Sequence, residues 1–142
     1  MSETRTLYAR LGGYDAIAAV ADNLLPRLMT DPLLGRFWAH RGDDGVRREK
    51  QLLIDFLCSS AGGPVLYTGR DMKVTHVGMG LSEDDWASFL GHLHDTLDYF
   101  EVPALERQDV LGFIDSLKSE IVEAPAVAVR PAAPPSLMER VG

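Results

Sequence analysis

The chain has 142 residues, 46% of them hydrophobic, and a formal charge of −7, which suits a single domain able to bury roughly 70% of the surface its unfolded chain exposes. Lys and Arg form no basic stripe, no apolar run approaches about 18 residues and no basic start leads into an apolar stretch, so neither nucleic acid nor membrane is an expected partner and the cytoplasm is the expected location. The lone cysteine, Cys58, excludes an internal disulfide and a multi-cysteine metal site, and no Cys-x-x-Cys-His motif is present to tether a cofactor covalently.

In chain order, the Gly12-Gly13 pair should open the first long helix. Ile17, Val20, Ala21, Leu24, Leu25 and Leu28 recur there at helical spacing before Asp31-Pro32 ends the run. Pro26 lies inside this stripe without a backbone donor, which predicts a kink or a restart near Asn23 or Leu24. The next helix should cover about residues 44–61, with Val46, Leu53, Ile54, Phe56 and Leu57 apolar, and stop at Gly62-Gly63-Pro64. Residues 65–81 are loop-rich, with Gly69, Gly78 and Gly80 bracketing one short helical piece. Ser82, followed by Glu83, Asp84 and Asp85, is a well-marked N-cap for a helix over residues 82–100, whose core face carries Trp86, Phe89, Leu90, Leu93, Leu97 and Phe100. A last helix is predicted over about residues 105–123, with Val110, Phe113, Ile114, Leu117 and Ile121 inward. No strand pattern appears, so the fold class is all-α. The domain is expected over residues 1–123, and the Pro- and Ala-rich residues 124–142 are expected to form a flexible, disordered tail.

Four histidines are candidates for chemistry: His40, His76, His92 and His94. His92 and His94 flank the inward Leu93 and read as surface residues. His40 lies at a corner between helices, either solvated or reaching into a pocket. His76 has Met72 one turn before it on the same face, with Val77, Met79 and Leu81 adding apolar surface. It reads either as a hydrogen-bonded, partly exposed residue or as a metal ligand. Phe37, Trp38, Leu53, Leu57, Trp86, Phe89 and Ile114 suffice to line a flat apolar slot, although at helical spacing they also read as ordinary core. No Asp/His cluster at zinc spacing accompanies His76. A metal there must take its other ligands from a cofactor, and a porphyrin supplies four of them, while the second imidazole nitrogen donates to a backbone carbonyl or similar acceptor.

Three ordered motifs sharpen this reading: Leu7-Tyr8-Ala9-Arg10-Leu11-Gly12-Gly13, then Gly62-Gly63-Pro64-Val65-Leu66-Tyr67-Thr68-Gly69, then Met72-Lys73-Val74-Thr75-His76 with Gly80-Leu81. Together, over about residues 7–122, they resemble the truncated haemoglobins (2/2 globins) of group I. The resemblance implies a globin-like two-over-two helical sandwich around haem b, with the first helix nearly absent and the haem-ligating helix cut to a turn. It implies reversible binding of oxygen or another diatomic gas (NO, CO). His76 falls on the family's proximal histidine, the iron ligand. Phe37 and Trp38 fall on the paired aromatics that wedge the haem, Trp38 replacing the usual phenylalanine. Tyr67, Arg70 and Lys73 fall near the propionate edge, and Leu53, Leu57, Met72, Leu81, Trp86, Phe89 and Ile114 surround the rest of the cofactor.

The departures bear on function. Leu25 stands where group I members usually place a distal tyrosine, and Leu53 where they often place a distal glutamine, so the distal pocket reads as apolar. A register anchored on Lys50-Gln51 puts Gln51 at that second position but needs about half a turn inserted. The ungapped register keeps the spacing from Phe56 to the glycine pair and is preferred. Glu49 lies towards the pocket entrance, where a solvated carboxylate is the plain alternative. Trp38 or His40 supplies a donor only if turned inward. A buried donor slows oxygen release by roughly one to two decades, so its lack shifts selectivity towards CO and NO. The alternative readings are a haem enzyme of NO detoxification or nitrite/peroxide chemistry, served by a reductase, and a gas or redox sensor. The expected state is a monomer or weak homodimer.

Overall fold

A computed structural model of the chain describes residues 5–123, and the predicted tail at 124–142 lies outside the described residues. Thr6 starts a short helix, α1 (Leu7–Leu11), by accepting a hydrogen bond from the Ala9 amide at 3.0 Å. Gly12 and Gly13 then turn the chain at φ of 112° and 84°, a region only glycine enters at little cost, and α2 (Tyr14–Met29) follows. Its buried stripe is Ile17, Ala21, Leu24, Leu25 and Leu28.

The restart expected near Asn23 or Leu24 does not occur, since α2 runs unbroken to Met29 with Pro26 inside it. Pro26 is exposed near the helix end, and the carbonyl its missing donor leaves free belongs to exposed Asp22, so the defect faces solvent. Thr30 closes the helix by donating to Pro26 O through its amide (3.0 Å) and its hydroxyl (2.8 Å). Asp31 Oδ1 next accepts from the amides of Leu33 and Leu34 at 2.7 and 3.0 Å, leading into a 3-10 turn (Gly35–Trp38).

Helix α3 (Asp43–Ser60) carries Asp43 and Asp44 in its first turn, where carboxylates meet the positive end of the helix dipole. Beyond it, a side chain on Gly63 would begin 2.4 Å from the Tyr8 ring, so the glycine lets α1 close against the end of α3, joined by Tyr8 N–H to Ala61 O at 2.9 Å. One turn of helix, α4 (Met72–His76), is capped by Asp71, which accepts from the Val74 amide at 2.8 Å. In α5 (Glu83–Tyr99) Ser82 and Asp85 form a reciprocal capping box. The predicted final helix is two pieces, α6 (Ala104–Ser116) and α7 (Lys118–Ile121). They part at Leu117, beside Ser116, whose hydroxyl donates to Phe113 O at 2.5 Å and competes with the helix ladder for that carbonyl.

Helix α2 packs against both α3 and α5, and four of its buried residues divide between two clusters. Ile17 and Ala21 join Ile54 and Cys58 of α3, whereas Leu24 and Leu28 join Trp86, Leu93 and Leu97 of α5 and Ile114 of α6. The result is an all-α two-over-two sandwich, the α2/α3 pair over the α5/α6 pair, with the short turn of α4 to one side against α7.

Candidate functional site

Residues of both clusters line a cavity of about 900 Å³. Protein interiors pack to crystal-like density and rarely leave voids larger than a water molecule. This cavity instead lies near the top of the roughly 300–1,000 Å³ span of ligand pockets, which identifies it as a built site. Phe37 and Trp38 reach it from the 3-10 turn, Leu25 from α2, and Glu49, Leu53 and Leu57 from α3. Tyr67, Met72, His76 and Leu81 line the loop side, and Trp86, Phe89 and Ile114 the α5/α6 side. Lys73 is exposed and outside the lining: one residue on from Met72, it points about 100° around the turn from the Met72/His76 face.

His76 is half-buried, and its Nδ1 lies 2.8 Å from Met72 O. A carbonyl only accepts, so Nδ1 carries the hydrogen and, in the neutral ring, Nε2 holds the lone pair. Among the described residues Nε2 has no hydrogen-bond partner. Met79 also lines the cavity. Val77 does not add to that apolar surface as predicted: it is 59% exposed and outside the lining, to which the single turn of α4 contributes Met72, Thr75 and His76.

The wall formed by α2 and α3 is mostly hydrocarbon, with Leu24, Leu25 and Leu28 of α2 and Leu52, Leu53 and Phe56 of α3 in the lining and Arg48, Glu49 and Ser60 as the polar residues of α3 there. Gln51 is exposed on the other side of α3, donating to Tyr14 Oη at 2.9 Å and Asp55 Oδ1 at 3.0 Å, as the ungapped register requires. His40 is exposed and outside the lining. The Trp38 indole N–H is spent at the rim, donating to Glu49 Oε1 at 3.1 Å, and Arg41 stands 3.5 Å from the same oxygen.

Two polar contacts hold this rim. Arg36 grips Asp85 through both carboxylate oxygens at 3.0 and 2.9 Å, tying the 3-10 turn to the capping box of α5. Burial alone pushes the Asp85 carboxyl up, but the hydrogen bonds from Arg36 and the Ser82 amide outweigh it and hold the group below the usual carboxylate range. Asp31 Oδ2 meets His92 Nε2 at 2.7 Å and the Ser88 hydroxyl at 2.9 Å. His92, foremost, and the Leu34 amide hold the Asp31 carboxyl far below its ordinary range. His92 is therefore a partner of the α2 corner and not the plain surface residue its spacing suggested, whereas His94 is exposed. Reasoning from spacing also missed Leu52, because the stripe followed Leu53 and Leu57, and it had no signal for Arg36 with Asp85.

Among the described residues no group of three or more His, Cys, Asp or Glu is placed to hold a metal by itself, and no helix is long and apolar enough to cross a membrane. A helical sandwich enclosing a large apolar cavity, with one imidazole nitrogen left free at its wall, defines a globin-like domain. The chain belongs to the bacterial-like globin family, whose match covers residues 6–123, and within it to the group 1 truncated haemoglobins. It is 32% identical over 125 residues to the group 1 truncated hemoglobin GlbN of Mycolicibacterium paratuberculosis, covering 88% of this chain and 90% of that protein. With the GlbN of Nostoc commune the identity is 33% over 117 residues, 82% of this chain and 97% of that one. In fold, it is similar to truncated hemoglobin from Tetrahymena pyriformis in its Fe(III) form, with a TM-score of 0.75 at 24% identity over 83% of this chain and 98% of that chain. The group II truncated hemoglobin from Bacillus anthracis gives a TM-score of 0.78 at 19% identity, covering 89% and 97%. Family membership implies haem binding, and the large, mostly apolar cavity with one uncommitted imidazole nitrogen at its wall fits that group.

Proposed function

We propose that this chain is a haem b protein that reversibly binds a diatomic gas, oxygen, NO or CO, at iron ligated by His76. The observation that carries this reading is the state of one side chain: His76 Nδ1–H is committed to Met72 O at 2.8 Å while Nε2 is left without a partner at the wall of a 900 Å³ apolar cavity. When bound, haem would be held through His76 and would supply an iron centre able to take up a diatomic gas.

The chain's residues do the rest. Met72 O fixes the His76 tautomer and, by drawing on Nδ1–H, makes Nε2 a stronger donor to metal. Phe37 and Trp38 wedge the flat cofactor. Arg70, at the cavity margin, and exposed Lys73 supply cations to the propionate edge, with Tyr67 held beside them by its hydroxyl donating to Arg70 O at 2.5 Å. Leu25 and Leu53 exclude water from the gas side and offer no hydrogen bond. Glu49 holds the indole N–H of Trp38 at the rim. Oxygen, which depends most on a donor, is therefore released quickly, and CO and NO gain in relative affinity. A reductase partner, a cytoplasmic location and a monomeric or weakly dimeric state accompany this reading.

The test is a haemin titration of the purified protein, then reduction and exposure to oxygen and CO. One haem per chain with a Soret band that shifts reversibly with each gas is expected. A protein that acquires no Soret band, or whose reduced spectrum ignores both gases, contradicts the proposal.

A further inference from the structure

Helix α4 is five residues long, too short to hold itself, since a helical nucleus is unfavourable until further turns are added. Its N-terminal end is fixed by Asp71. What fixes the end that carries His76 is remote in sequence. Glu123, the last described residue, spreads its carboxylate over the loop beyond His76: Oε2 accepts from the Gly78 amide at 2.8 Å and Oε1 from the Gly80 amide at 2.7 Å. Its own amide donates to Leu81 O at 2.9 Å. Gly78 and Gly80 hold φ of 87° and 70°, and this left-handed backbone turns both amides towards one anion. Between them lies Met79, whose amide donates to His76 O at 3.2 Å and whose side chain lines the cavity. A continuous set of bonds thus runs from the Glu123 carboxylate through Gly78 and Gly80 to Met79 and on to the backbone of His76.

We propose that Glu123 is a positioning residue for the proximal histidine: its carboxylate clamps the loop of residues 77–81 and so sets where, and how firmly, the His76 ring is presented to the iron. The proposal rests on His76 being the iron ligand. Both oxygens are needed, because each serves a separate amide and hydrogen bonds to a charged acceptor are the stronger kind. Glutamine retains one oxygen and turns an amide group towards the other N–H, so it keeps half of the clamp. Aspartate keeps the charge on a shorter stem. Lys118, which opens the preceding α7 and pairs with Glu83 Oε1 at 2.8 Å, offers a nearby control that removes an ion pair but neither bond of the clamp.

The test compares Glu123→Ala, Glu123→Gln, Glu123→Asp and Lys118→Ala in the full chain by two independent readouts. Hydrogen exchange of the Gly78 and Gly80 amides, measured without haem as well as with it, reads the clamp itself. Glu123→Ala should speed it about tenfold, Glu123→Gln less and Lys118→Ala not at all. The iron–histidine stretching band of the ferrous protein, with the rate of haem transfer to an acceptor globin, reads the consequence. The band should shift or broaden and haem should leave about tenfold faster in Glu123→Ala, with partial recovery in Glu123→Asp. Unchanged exchange in Glu123→Ala overturns the clamp. Faster exchange with an unmoved band and unmoved haem loss overturns its positioning role, as does an equal band shift in Lys118→Ala. An unmodified chain that shows no iron–histidine band refutes His76 ligation, and this role with it, while the exchange arm still reports on the clamp. If Glu123→Ala does not fold, Glu123→Gln decides on the same two readouts.

Discussion

The turn around His76 and the wall formed by α2 and α3 handle polarity in opposite ways. Near His76 the conformation is held by hydrogen bonds between side chains and backbone: Met72 O orients the ring, Asp71 caps the turn and Glu123 holds the loop beyond it. Across the cavity the lining of α2 and α3 is mostly aliphatic and aromatic, with Arg48 and Glu49 among its polar residues, and the indole N–H of Trp38 is drawn to the rim by Glu49. The difference teaches that one small domain separates two tasks. In the proposed function, dense bonding on the histidine side would secure the cofactor, and the mostly apolar wall on the other side would leave the gas weakly held.

The most damaging way to break this contrast is at the anchor of the 3-10 turn that delivers Phe37 and Trp38. Asp85→Ala removes the capping box and leaves Arg36 without its partner, and the unfolding free energy should fall by about 2–4 kcal/mol in urea denaturation. Next in size, Leu53→Gln brings a donor into the apolar wall and erases the asymmetry. Oxygen dissociation followed by stopped flow should slow by about ten- to a hundredfold, with CO much less affected. Glu49→Ala releases the Trp38 indole N–H from the rim and should slow oxygen dissociation only a few-fold in the same assay.

The smallest effect concerns acid. Asp31 has its carboxyl depressed first by His92 and then by the Leu34 amide, so its folded form binds a proton less readily than the unfolded chain. Its contribution is complete above the unfolded value of about 4 and is lost progressively as pH falls through the depressed folded value. Asp31→Asn should therefore differ most from the parent near neutrality and converge with it in strong acid, as read from urea midpoints across pH.

Much of the scaffold was legible because it depends on local pattern. The stripes of α2, α3 and α5, the Ser82 cap and the glycine stop after α3 are decided within a few residues. The leucines at 25 and 53 and the pairing of Met72 with His76 follow from the same periodicity. What escaped depends on distance along the chain or on competition within a turn. Glu123 reaches back over 40 residues to Gly78 and Gly80, and Asp31 meets His92 only because α2 crosses α5. Pro26 is harmless because its side of α2 is wet, and the break at Leu117 arises beside one serine hydroxyl; neither is visible in hydrophobic spacing.

The central claim is tested most directly by His76→Gly, which removes the imidazole and leaves a space for it to be returned from solution. Haem-loaded protein should lose its histidine-ligated spectrum on this substitution and recover it on addition of free imidazole. An unchanged spectrum in His76→Gly would show that another group holds the iron.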